Sequence, residues 1–160
     1  MNPQTSKRAG EVIVNSLEVM TEFERKCIQI LRHANDLFEK KDFSELPFCI
    51  KDLFSNQFSR YLISDLISIF ASHHLRPIVR HHPSCLCVGS DENVFANILN
   101  FAFEDQEDEV KLLGSLLINS KQVESLSKKA KVVAFLIDED LKKSCQKPKI
   151  TQIIYNNQLH

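Results

Sequence analysis

The chain has 160 residues, 43% of them apolar and 26% charged, with 20 basic residues against 21 acidic and a formal net charge of −1. Those are ordinary globular values for one domain, and they exclude a chain too polar to bury a core; the balanced charge argues against a nucleic-acid binder, which carries a basic excess. Three glycines, against an average usage of about 7%, leave no cluster for a P-loop or dinucleotide-binding turn and few residues for the tight turns of β folds.

Residues 1–10 are polar, carry Lys7 and Arg8, and read as a flexible basic arm. A helical domain is expected over 11–147, and a docking tail over 148–160. The first helix is placed over 11–20 on the strength of Val12, Ile13, Leu17 and Met20. Thr21 and Glu24 form a Thr-x-x-Glu capping box, after which Phe23, Cys27, Ile30, Leu31, Ala34, Leu37 and Phe38 make an amphipathic stripe. Pro47 suits the first turn of another helix. Phe48, Ile50, Leu53 and Phe54 would continue it, and Phe58 to Phe70 would follow after a break at Ser55 or Ser59.

The pattern ends at His73-His74, and Pro77 forbids continuation. Residues 76–89 form the longest irregular stretch, with a possible extended piece at 85–88. From Ser90 to Leu141 the apolar periodicity is densest. Ser90-Asp91-Glu92 opens one helix, the acidic run 104–109 makes a turn into a second, and Ser120 opens a third. No apolar run approaches the ~20 residues of a membrane span, and nothing near the start resembles a signal peptide. The five cysteines are scattered and odd in number, which suits a reduced, intracellular protein, cytoplasmic or nuclear, whose thiols are mostly buried.

The fold class read from this is all-α: a single-domain helical bundle, or a short stack of helix pairs. A shift of 46 residues (94 − 48) lays Val94, Phe95, Leu99, Leu112, Leu113 and Leu116 over Phe48, Cys49, Leu53, Leu66, Ile67 and Phe70. That spacing resembles the period of HEAT and armadillo repeats, about 40–47 residues. The alternative is α+β, with a small sheet made from 85–88 and 131–138, because Val132 to Ile137 would also serve as a buried strand.

For function, three readings follow. The first is a non-catalytic protein-interaction module, or a subunit of a larger intracellular assembly, with no cofactor. Its partner would be another protein or a second copy of itself. It rests on an excess of phenylalanine, eleven in all, and on an apolar tail. The candidate contact residues are Phe43, Phe48, Phe58, Arg76, Arg80, Ile153, Ile154 and Tyr155. The second reading is a zinc protein using His73, His74, His81, His82, Cys85 and Cys87, six potential ligands within fifteen residues. The third is a small enzyme on an α/β scaffold. No nucleophile signature surrounds any cysteine. Asp91-Glu92-Asn93 with Asn97 and Asn100 resembles the asparagine-bearing helix of histidine-kinase-type ATPases, but the glycine-rich loops those need are missing.

Overall fold

The computed structural model describes residues 12–34 and 44–146. The order is β1 (Ile13–Ser16), α1 (Glu22–His33), α2 (Leu46–Cys49), α3 (Gln57–His73), β2 (Cys87–Gly89), α4 (Ser90–Phe103), α5 (Glu107–Leu117) and α6 (Val123–Gln146), the last entered through a 3-10 turn at Ser120–Gln122. The described part is mostly helical, with one small two-stranded antiparallel sheet.

Local chemistry sets most helix ends. Thr21 caps α1: its hydroxyl accepts from the Glu24 amide at 3.2 Å while the Glu24 carboxylate accepts from the Thr21 amide at 2.8 Å. Asn56 caps α3 through the Ser59 amide at 3.2 Å. At the end of α4, Asp105 takes a left-handed conformation (φ 63°). The Gln106 amide then reaches back to the Phe101 carbonyl at 2.9 Å, and the Asp105 amide to that of Ala102 at 3.3 Å, closing the helix in a Schellman motif. Glu107, Asp108 and Glu109 fill the first turn of α5, as the dipole favours.

Helix α4 is the centre of the packing, touching α1, α5 and α6, while α3 packs on α6. Its Phe95 lies edge-on to Phe70 of α3 at 5.2 Å. Cys27, Ile28, Ile30 and Leu31 of α1, and Val133, Ala134 and Ile137 of α6, complete a single core. Backbone bonds of 2.9 Å, from Leu75 to Leu117 and from Asn119 to His73, tie the end of α3 to the end of α5.

Four expectations are corrected. The first helix expected over 11–20 is absent from its described part, 12–20: Ile13–Ser16 is a strand, followed by a turn that carries Leu17 and Met20 into the core. The run Val12-Ile13-Val14 is β-branched and favours extended backbone, and β2 supplies the partner, with Ile13 opposite Gly89 and Ser16 opposite Cys87. Second, the sheet of 85–88 with 131–138 does not exist, because 131–138 lies inside α6; Ala130, Val133, Ala134 and Ile137 are buried at helical spacing while Val132 and Phe135 are exposed. Third, the helix expected from Phe48 to Phe54 is one turn, Leu46–Cys49, where α4 runs through 14 residues, so the halves related by the 46-residue shift differ. Fourth, only Cys27 among the cysteines is fully buried; Cys49 and Cys145 are exposed, and Cys85 is disulfide-bonded to Cys87.

Candidate functional site

Two features stand out from the bland packing: a buried ion-pair network beneath the loop 76–89, and an exposed apolar face along α6. The network begins at Arg32, whose side chain is fully enclosed on α1. Its Nε and Nη2 donate to the two Glu92 carboxylate oxygens at 2.7 and 3.0 Å. Nη1 donates to the carbonyls of Cys85 and His82 at 2.6 and 3.2 Å, and Nη2 also to that of Cys87 at 2.8 Å. All five guanidinium N–H groups are thereby used, which is the condition for burying such a charge.

Glu92 is satisfied from the other side. It accepts from the backbone amides of His81 and Gly89 at 2.9 and 3.0 Å, and its Oε2 lies 2.9 Å from His81 Nδ1. Burial pushes this carboxyl up, but Arg32 and the His81 and Gly89 amides outweigh it and hold it below the usual carboxylate range. The preceding residue does parallel work. Asp91 receives Arg76 through two bonds of 2.7 and 2.8 Å and the Val79 amide at 2.9 Å. Two adjacent carboxylates on the first turn of α4, with one guanidinium from α1, therefore pin a segment that has almost no regular structure.

The second feature lies on the opposite chemistry. Val132 and Phe135 of α6 and Phe103 of α4 are each about half exposed or more, at 47%, 58% and 46%. Together with Ala102, Lys131 and Leu136 they line a groove of about 400 Å³ between α4 and α6. Phe103 is propped from behind by the Phe23 ring, 5.6 Å away. On the other side of Val132, Leu62, Asp65, Lys128, Lys129 and Val133 line a second groove, of about 210 Å³, between α3 and α6. Phe58, 68% exposed, sits one turn before Leu62 on α3. The result is an apolar ridge with a groove on each flank. Ion pairs of Lys131 with Asp105, Lys129 with Asp65 and Lys128 with Glu124 edge it.

Of the residues singled out from sequence, Phe58 is exposed near the start of α3, one turn before Leu62. Phe48 is exposed on α2, its ring 5.3 Å from the Lys51 ammonium. Arg76 is committed to Asp91, and Arg80 is half-buried in the same loop. Phe43, Ile153, Ile154 and Tyr155, and with them the arm at 1–10 and the docking tail over 148–160, lie outside the described residues. The His/Cys loop does not gather as a ligand set. His81 is engaged by Glu92, His82 Nδ1 by the Ser84 hydroxyl at 2.7 Å, and the two cysteines by each other. Among the described residues no three His, Cys, Asp or Glu side chains converge as a metal site. Cys27 is sealed in the core, where burial and the Glu24 charge push its thiol well up.

Sequence reasoning missed Arg32, Glu92, Phe103, Val132 and Phe135 as a set. An arginine beside an apolar stripe was the faint signal for the first. The double acid at a helix start masked the second, since it reads equally well as a dipole pair.

Fold and face together define a small, mostly helical protein with a two-stranded sheet and an exposed apolar ridge along α6. No protein-family model matches the chain, and no curated protein or solved structure matches it significantly. Among the described residues no helix is long and apolar enough to cross a membrane.

Proposed function

We propose that this protein is a non-catalytic interaction module that docks an amphipathic helix of a protein partner on the ridge of α6. The observation that carries the reading is the placement of Phe103, Val132 and Phe135 side by side on two adjoining helices with grooves on both flanks. Scattered exposed apolar residues are normal; a contiguous patch with a polar edge is the mark of a contact surface. A helix laid along such a groove buries side chains at i, i+3, i+4 and i+7. Each large apolar side chain so covered contributes roughly 1.5–3 kcal/mol before ordering costs. The bundle beneath acts as a rigid support for that face, and the balanced net charge leaves long-range steering a small part in the encounter.

The test is a paired comparison of the full chain with V132E/F135E and with a control, L112E, on another exposed part of the surface. Partners are captured from the native source, identified by mass spectrometry, and the direct interaction is rebuilt from purified proteins. The expected result is binding to a helical segment that V132E/F135E abolishes and L112E keeps, with both variants melting as the parent does. Binding that survives V132E/F135E overturns the reading, as does binding that L112E removes equally.

A further inference from the structure

We infer that Cys85 and Cys87 form a reversible thiol–disulfide exchange site for low-molecular-weight thiols, seated on the Arg32–Glu92 pair. The two cysteines are separated by Leu86 alone and are joined by a disulfide. A cross-link stabilises a fold by restricting the unfolded chain, and it does so least when the loop it closes is shortest. A bridge across a single residue is therefore a poor staple. Nor does the backbone need one. Arg32 donates to the carbonyls of both cysteines, at 2.6 and 2.8 Å. The Cys85 amide donates to His82 and the Leu86 carbonyl accepts from Leu17, both at 2.9 Å, while Cys87 pairs with Ser16 in the sheet.

These bonds hold the two Cα atoms 5.6 Å apart, within the separation a disulfide spans, and none of them involves sulfur. The pair stays in register whether the sulfurs are bonded or not. Both residues are half-buried rather than sealed in the core, and Leu86 between them is 55% exposed, so the bridge lies at the surface, where a small thiol can approach it. What the sulfur–sulfur bond adds to this loop is two-electron chemistry rather than shape.

The exchange balances with a thiol such as glutathione as reductant. Its thiolate attacks one sulfur of the bridge; the S–S bond breaks, and the electron pair leaves on the other cysteine, which takes up a proton. A second glutathione thiolate attacks the glutathione sulfur of the mixed disulfide. The second cysteine is then released as a thiol, and oxidised glutathione departs. Two glutathione molecules lose two electrons, and the bridge gains them. The reverse sequence closes it.

The experiment equilibrates the full chain carrying C49S/C145S, which removes the exposed cysteines elsewhere, with reduced and oxidised glutathione at graded ratios. Acid quenching, alkylation and peptide mass spectrometry then count thiols at Cys85 and Cys87. A two-electron transition that runs identically in both directions, with superimposable far-ultraviolet spectra at its ends, is the expected result. In C85S, Cys87 should accumulate as the glutathione mixed disulfide. A pair that stays bridged, or stays open, across the whole range overturns the inference. So does a reduction that unfolds the protein, since the bridge would then be a staple after all.

Discussion

Arg32 and Glu92 lie sixty residues apart in the chain and meet in the core with neither side chain exposed to solvent. A pair of this kind contributes little net stability relative to apolar packing, because desolvating both charges offsets most of the attraction. Its consequence is positional. Through it, α1, α4 and the loop 76–89 hold one arrangement.

Removing one partner should therefore cost far more than the pair is worth. Arg32→Met leaves Glu92 buried without its counter-charge and three loop carbonyls without their donor, and should destabilise by about 3–5 kcal/mol. Arg32→Met combined with Glu92→Met should cost clearly less than the two single changes added together. Urea unfolding of the parent, both singles and the double measures this. Simple additivity would show that the two side chains are not coupled.

The same pair sets an acid limit. Glu92 is held below its unfolded carboxylate value, near 4.3 for a free glutamate, so the unfolded chain takes up the proton first. The stabilisation is complete above that unfolded value and is lost as pH falls towards the lower folded one. Melting temperature should drop more steeply below about pH 4.5 in the parent than in Glu92→Gln, which starts lower and has nothing there to titrate. Parallel slopes for the two proteins would contradict this.

Gly114 lets α5 approach α6. A Cβ built there would stand 2.5 Å from Leu126 Cδ2, and Leu126 is fully buried. Alanine gains about 1 kcal/mol of helix propensity, but overpacking a core costs roughly 1–3 kcal/mol. Gly114→Ala should come out destabilising, and Leu126→Ala in the same chain should relieve the clash. A stabilised single variant would mean that α6 yields freely at this contact.

Asp105 pays a conformational cost at the end of α4. Left-handed backbone is unfavourable for any residue with a Cβ by roughly 1–2 kcal/mol, less for aspartate. Asp105→Gly should raise stability by about 0.5–1 kcal/mol, since the exposed pair with Lys131 that it loses is worth little. Asp105→Val should lower stability. Thermal unfolding of both variants separates them, and the order reversed would mean that the ion pair outweighs the backbone.

Dialysis against a strong chelator should leave the melting temperature unchanged, because Glu92, Ser84 and the disulfide already occupy His81, His82, Cys85 and Cys87. A large fall, restored by zinc, would make the loop a metal site instead.

The helical class and most helix ends were legible without any structure. Thr21 with Glu24, the stop at His73, the acidic start at Glu107 and the stripe of α1 are set by residues within one or two turns of each other. Hydrogen bonds and apolar spacing over that range belong to the local sequence. What the fold alone decided are the long-range pairings. Residues 12–16 are extended because β2, more than seventy residues on, offers an antiparallel partner; the local apolar spacing suited a helix as well. Arg32 and Glu92 read as ordinary surface charges until α1 and α4 enclose them together. The stretch 132–137 is apolar at all six positions and carries no polar mark to distinguish its faces. Only the packing of α3, α4 and α5 around α6 leaves Val132 and Phe135 outside and puts Val133 and Ile137 in the core, because burial depends on which surfaces meet.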